Sequence, residues 1–333
     1  MLRAREEHFG QEAKLGAVFF AFYGTVTGAA RALAAGETDA CFGLTDVQLT
    51  TLEGVPGVEM TEALLPTAEC RGIVFHMTST YASNPSLRQA IECCMDKDWF
   101  LLMSAGGTGR TGSSFMSPGS ELFTQPSSLR VYDFNAARSF LVGSGYTDSD
   151  NDGMLEFRDG TKMVLTLVTS SRDEWAPTAA TILTNDLAQV GIEVVWKKTD
   201  LPIREACTAK GDWDLCFAGW NGSADGPLTA SSFYDDMQQF ALWTSSSFEE
   251  DLSRLRTAWE ISEARVYAAR LQQTAYDECP AIVLSYGVDI QAVRSDMWTG
   301  YQDILNTNGA LFRSGLRECC WGEPQYRLAM AAP

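Results

Sequence analysis

An α/β fold of about two domains is predicted by three observations. Apolar stretches of strand length alternate along the chain with segments of helical periodicity. The chain has 333 residues, whereas a single domain takes roughly 100–200. Hydrophobic residues make up 45% and charged residues 20%, which is enough apolar material for a core and too much for a disordered chain.

The elements follow in chain order. Residues 17–23, Ala-Val-Phe-Phe-Ala-Phe-Tyr, read as a buried strand. That run is also about as long as a signal-peptide core, but it is rich in aromatics and lacks a clear cleavage site. The start carries Arg3, Arg5, Glu6 and Glu7 where a signal would be apolar, so no signal peptide is read in the chain as written. Residues 25–35 read as a helix that Gly36 terminates, 41–44 as a short strand, 45–53 as a turn or two of helix, and 71–77 as a strand.

Asn84 to Asp96 is a strong helix signal, with Asn84 as cap, Pro85 in the first turn and Leu87, Ile91 and Cys94 or Met95 at helical spacing. Residues 104–128 are rich in Gly, Ser, Thr and Pro and read as a long loop. A helix capped by Asp133 runs to Gly143, and 162–168 is a strand. A helix over 176–190 ends at Gly191, and 192–196 is the next strand. A short helix over 201–210, a strand over 212–219 and a loop over 220–230 follow. One long helix over 248–273 and a strand over 281–286 complete the pattern, and the remainder is irregular. No apolar run reaches the roughly 18 residues that a membrane span needs.

Charge and composition narrow the function classes. Lys plus Arg is 25 and Asp plus Glu is 43, a net charge of −18. Such a chain repels phosphate backbones and anionic lipid, so no nucleic-acid partner is expected. His8 and His76 are the only histidines, which nearly removes multi-histidine metal sites, and His76 in an apolar strand reads as a core residue. The nine cysteines form no CxxC pair, and the odd count leaves at least one outside any intrachain disulfide. They read as small buried hydrophobes.

Three motifs carry possible chemistry. Gly107-Thr-Gly-Arg-Thr-Gly112 matches a dinucleotide fingerprint, but the Ser- and Pro-containing stretch after it is poor helix material. A plain glycine loop is the better reading, and a nucleotide-dependent enzyme is the rival that a binding assay would revive. The acidic segment at 148–159 fits D-x-D-x-D-G: Asp148, Asp150 and Asp152 alternate, and Asp159 takes the twelfth position. It is either an Asp- and Gly-rich turn or a structural calcium loop with Asp148, Asp150, Asp152 and Asp159 as ligands. No other cofactor is implied. Gly219 to Pro227 leaves the end of a strand, a common ligand position in α/β domains. It is either a glycine-rich turn around a core tryptophan or a site in which Trp220 shields a ligand and Asn221, Ser223 and Asp225 hydrogen-bond to it. No nucleophile elbow, HExxH or Walker loop is present, so an enzyme reading has no anchor.

Six segments, taken together, resemble the family 5 extracellular solute-binding proteins of ABC importers, the dipeptide, oligopeptide and nickel group. Residues 32–40 look like the family's AL..GE.D, 84–97 like its NP..RQAI segment and 132–146 like YD followed by the LL.EAGY element. The acidic turn at 148–153 comes next, then 187–195 resembles L...GI.V, and Gly211-Asp-Trp-Asp-Leu with Ala218-Gly-Trp220 resembles the GDWD and GW element. The segments span about residues 17–290 and correspond to the later part of a family member, so the chain is expected to be N-terminally truncated.

The resemblance implies a two-lobed periplasmic-binding-protein-like fold of type II, the large peptide-binding class, with the first lobe incomplete. Residues 1–78 would belong to lobe 1, 79–283 to lobe 2, and 284–333 would return to lobe 1. It further implies a substrate-binding component that holds peptides or similar small solutes for import, without catalysis. The expected partners are the ligand and ABC transporter permease subunits, with the chain a monomer in the periplasm or as a cell-surface lipoprotein. The alternatives are a cytoplasmic ligand-sensing domain of the same fold and a non-functional fragment. Peptide-binding relatives carry an Asp three residues after the Trp of the GW element, where it meets the peptide ammonium. Here that residue is Ser223, and the nearest acid is Asp225.

Overall fold

The computed structural model describes residues 2–3, 16–44, 46–63, 68–157, 159–299 and the pairs 304–305, 311–312 and 329–330. The chain divides into two compact units, Met1–Leu65 with Val288–Pro333, and Pro66–Gly287.

In the first unit, a three-stranded antiparallel sheet places Asp289–Arg294 between Ala40–Leu44 and Val58–Ala63. The helices Val26–Ala34 and Asp46–Leu52 belong to the same unit. Thr25 caps the first helix by accepting from the Gly28 amide, and Gly36 follows it at φ +73°, the left-handed turn expected there. Ala30, Leu33, Cys41, Leu44, Leu52, Ile290 and Ala292 form the core.

The apolar run after Gly16 departs from expectation. Only Ala17–Val18 is strand, paired with Leu2–Arg3, and Phe19, Phe20 and Phe22 are 74%, 54% and 94% exposed. Apolar character alone does not make a buried strand. The segment needs a sheet edge and an opposing layer, and it finds neither among the described residues.

The second unit is built on a six-stranded mixed sheet. Its order is Arg110–Thr111, Ala281–Tyr286, Glu69–Phe75, Leu215–Asn221, Val164–Ser170, Glu193–Thr199. Val164–Ser170 pairs parallel with both its neighbours, and the remaining pairings are antiparallel. The buried face joins Ile73, Phe75, Leu165, Leu167, Leu215 and Phe217 to residues of the helices Pro85–Cys93, Phe134–Gly143 and Ala176–Ala188 in one core. The edge strand Glu193–Thr199 is mostly exposed and carries Lys197 and Lys198, which discourage pairing with another chain.

Helix caps fall where the sequence places them. Asn84 accepts from the Ser86 amide, and Asp133 accepts from Asn135 and Ala136. Three elements differ from the sequence reading. Lys97–Ala105 is a separate helix capped by Asp96. The expected loop over 220–230 contains the start of the helix Gly226–Asp236, which continues into the π-helical turn Met237–Ala241. The expected long helix over 248–273 is two, Ser246–Thr257 and Ile261–Glu278, with Trp259 93% exposed at the break. Helical periodicity runs across such a break, because a short interruption hardly disturbs the spacing of apolar residues.

The glycine-rich segment at 107–112 is a packed sheet edge. Arg110–Thr111 pairs with Tyr286 and Ser285, and a Cβ on Gly112 would lie 2.6 Å from the Val283 side chain. These glycines allow close backbone approach, so the fingerprint serves packing here. Cys41, Cys70, Cys93, Cys94, Cys207, Cys216 and Cys279 are all free and buried, while Cys319 and Cys320 lie outside the described residues. Burial raises the Cys93 thiol to about 11 and the Cys94 thiol to about 12. His76 packs on Trp213 with ring centroids 4.8 Å apart, and its buried Nδ1 has no hydrogen-bond partner. Among the described residues, no helix is long and apolar enough to cross a membrane.

Candidate functional site

Two places in the second unit gather the residues singled out from sequence. The first is the end of the sheet where Leu215–Asn221 and Val164–Ser170 finish. Because Glu69–Phe75 runs antiparallel to Leu215–Asn221, its first residues reach the same end, with Glu69 opposite Asn221 and Arg71 opposite Gly219. Crevices at the carboxyl ends of parallel strands are the usual ligand position in such sheets.

At this end Trp220 is buried, 5% exposed. Its indole Nε1 donates to the Phe115 carbonyl at 3.3 Å, and its ring lies 5.6 Å from that of Phe233. The ring also fills the space over Gly72, where a Cβ would come within 2.8 Å of it. Trp220 therefore props the loop from beneath. Asn221 is exposed. The Ser223 amide donates to Thr229 Oγ1 at 2.7 Å, and Ser223 Oγ accepts from the Asp225 amide at 3.1 Å. Asp225 Oδ1 accepts from the Leu228 amide at 2.9 Å, which caps the helix Gly226–Asp236. Asp225, the nearest acid to Ser223 in this loop, thus has a structural task.

Sequence reasoning did not single out the charged group beside this loop. Arg71 Nε pairs with Glu69 Oε2 at 3.0 Å, and its guanidinium lies 5.8 Å from the centre of the Trp175 ring. Asp173 sits in the turn after Val164–Ser170, and burial, then the Glu69 charge, push its carboxyl above the usual range against Arg71 and Arg204. The available signal was positional: Glu69 opens one strand with Arg71 two residues inside it, Asp173 lies just beyond the end of another, and strand ends meeting at one end of the sheet bring these residues together.

The second place is the acidic turn. Asp148, Asp150, Asp152 and Glu156 each offer a carboxylate oxygen, and these oxygens lie within 4.8 Å of one another. Asp148 Oδ2 accepts from the Gly153 amide at 3.0 Å, and Asp152 Oδ1 accepts from Met154 at 2.9 Å. Gly153 takes φ +90°, the turn that the glycine of the motif anticipates. Asp159 lies outside this group, and its Oδ1 accepts from the Thr161 amide at 2.9 Å. Glu156, the ninth residue of the pattern, stands in the cluster instead.

The other motif residues are largely architectural. Arg88 is buried and donates to the carbonyls of Ala82, Glu278 and Cys279 at 2.7, 2.6 and 3.0 Å, tying its helix to the end of Ile261–Glu278. Asp214 is buried and accepts from the Thr166 amide at 2.7 Å, joining two strand ends.

Comparison with known proteins bears on the family and the fold. The profile of the bacterial extracellular solute-binding proteins, family 5 (middle part), matches residues 2–240. The peptide transport periplasmic protein SapA of Salmonella typhimurium is 23% identical over 283 residues, which cover 81% of this chain and 48% of SapA. The oligopeptide-binding protein AppA of Bacillus subtilis is 22% identical over 202 residues, 56% of this chain and 35% of AppA. The chain thus spans about half or less of the curated relatives it matches. Among solved structures, HbpA2 from Haemophilus parasuis superposes with a TM-score of 0.79 at 13% identity, covering 99% of this chain and 61% of that one. NikA from Brucella suis, in complex with Fe(III)-EDTA, gives 0.74 at 16% identity, over 97% of this chain and 63% of that one. The fold is therefore the two-lobed one of the peptide and nickel binding proteins, of which this chain makes up about 60%.

Proposed function

Because the chain belongs to the family 5 bacterial extracellular solute-binding proteins, we propose that it binds a peptide or a similar small solute for import by an ABC transporter. It acts by binding alone and catalyses nothing. It works outside the cytoplasm as a monomer and passes its ligand to permease subunits. The unit Pro66–Gly287 forms one lobe, and Met1–Leu65 with Val288–Pro333 contributes to the other. Boundaries at 78 and 284, as expected from sequence, would divide the sheet strand Ala281–Tyr286 and separate Glu69–Phe75 from its neighbours. The carrying observation is the family match over residues 2–240, well beyond any single motif.

Within the second unit, the ligand meets the sheet end at Asn221, Ser223 and Asp225, with the buried Trp220 supporting the loop from beneath rather than touching the ligand. Two features support that placement: Asn221 is exposed beside the Glu69–Arg71 pair, and the loop is fixed by the Asp225 cap and the Trp220 packing. A preorganised polar loop spends less entropy on ordering when a ligand arrives. With Ser223 in the position of the relatives' acid, an ammonium group would be met at this end by Glu69 or Asp225, and a carboxylate by Arg71.

The test is calorimetric titration with alanine peptides of two to five residues. One or more should bind, and Asn221→Ala should weaken that binding by about 1 kcal/mol, the worth of one hydrogen bond, with the melting temperature unchanged. If no peptide binds, the peptide reading fails. If binding is unaltered in Asn221→Ala, the loop is not the site.

A further inference from the structure

We propose that the turn at residues 148–156 is a calcium site, with Asp148, Asp150, Asp152 and Glu156 as its side-chain ligands. Clustered acids alone would not support this, since exposed aspartates commonly gather in turns. The deciding group is Glu156. It is 3% exposed, and its Oε2 accepts from the Ser149 amide at 2.8 Å and the Ser149 hydroxyl at 2.9 Å. Its Oε1 is buried with no hydrogen-bond partner, and one oxygen of the same carboxylate lies within 4.8 Å of an oxygen from each of the three aspartates. A buried carboxylate oxygen without a donor is costly, and a cation at the centre of the cluster would satisfy it.

The turn is rigid enough to hold this arrangement. Thr147 and Glu156 exchange backbone hydrogen bonds at 3.1 and 2.8 Å, and the Leu155 amide donates to the Gly191 carbonyl at 2.7 Å. Leu155 packs on the core, as the apolar eighth residue of such a loop should. The ligand type favours calcium. Calcium takes about six to eight oxygens, carboxylates included, in a flexible shell, whereas magnesium demands near-octahedral geometry and keeps several waters.

Lys162 is the internal competitor. Its ammonium pairs with Asp152 Oδ2 and is half exposed, so it can leave Asp152 to solvent when the ion enters. Among the described residues, four carboxylates stand against one lysine, which leaves the cluster negative. The site does not depend on solute binding, and its test involves no solute.

The full chain, stripped with a chelator, is titrated with calcium chloride in a calorimeter, with magnesium chloride as the comparison. One calcium should bind per chain, magnesium should bind at least tenfold more weakly, and calcium should raise the melting temperature. Asp150→Asn alters an exposed side chain and should weaken calcium binding tenfold or more while leaving the calcium-free melting temperature in place. Lys162→Met should strengthen binding severalfold. Glu156→Gln should weaken it as Asp150→Asn does; should that buried variant fail to fold, Asp150→Asn and Lys162→Met still decide the matter. No binding at about 10 mM calcium, above the range of the weakest extracellular loops, would overturn the proposal. So would equal affinity in the parent chain and Asp150→Asn.

Discussion

Two buried glutamates of the second unit, Glu92 and Glu156, are each 3% exposed and solve the same problem differently. Glu92 is closed by the protein itself. Its Oε1 accepts from Lys97 Nζ at 2.8 Å and its Oε2 from Arg130 Nε at 2.6 Å. Arg130 in turn donates to the Tyr276 carbonyl at 2.7 Å and lies 3.9 Å from the centre of the Tyr276 ring. Burial pushes the Glu92 carboxyl up, but Lys97 and Arg130 outweigh it and hold it below its usual range. Glu156 has one oxygen closed by Ser149 and the other open, beside three aspartates rather than two cations. The first site is complete within the chain. The second leaves one oxygen unsatisfied, which the proposed cation would complete.

The largest expected effect comes from breaking the closed site. Glu92→Ala leaves two partly buried cations without their carboxylate and should cost about 3–5 kcal/mol in urea unfolding. The pH dependence has a definite sign. The folded carboxyl lies below its ordinary value of 4.5, so its stabilisation is complete above that value and is lost as pH falls through the folded pKa. A Glu92→Gln chain should therefore show a flatter loss of stability in acid. An unchanged acid limb would show that the pair contributes little.

The open site should respond in the opposite sense. In chelator, Glu156→Gln removes a buried charge with an unsatisfied oxygen, so it should change stability by less than about 1 kcal/mol or raise it slightly. In calcium the same variant should be less stable than the parent. If Glu156→Gln were as damaging in chelator as Glu92→Ala, the contrast between the two sites would collapse.

A smaller effect is expected at Asp186, whose neighbouring charge is another acid, Asp96, rather than a cation. Burial, then the Asp96 charge, raise its carboxyl from 3.8 to about 6. The folded state then holds the proton more tightly than the unfolded state, so this group makes stability fall as pH rises from about 4 to about 6. Asp186→Asn should remove that slope in a series of thermal melts. A slope that survives the substitution must come from other groups.

The candidate site was partly legible in the sequence. The loop after Gly219 stands at a strand end because a short continuous apolar run marks a buried strand, read over 212–219 and found at Leu215–Asn221. The roles of its side chains were not legible. Trp220 reads equally as a ligand platform and as core, and only the positions of Phe115, Phe233 and Gly72 make it core. Asp225 reads as a ligand until the helix Gly226–Asp236 claims it as a cap, and the proline and glycines around it had pointed to a loop. The acidic turn shows the same limit. Spacing identified Asp148, Asp150 and Asp152, but the fourth carboxylate depended on which way the chain leaves the turn, and it is Glu156 rather than Asp159.

By itself the sequence determined what is local or periodic: the strand and helix alternation, the caps at Asn84 and Asp133, the glycines that end helices, and the order of motifs that marks the family. These follow from backbone sterics and short-range hydrogen bonds, whose range is a few residues. Only the tertiary structure decided which buried charges meet partners. Arg130 reaches Glu92 across 38 residues, and Arg88 reaches the Cys279 carbonyl across 191. It also decided the state of Phe19, Phe20 and Phe22, whose apolar character calls for burial that only another layer can supply. Burial is a property of the whole packed assembly, and no short window of sequence contains it.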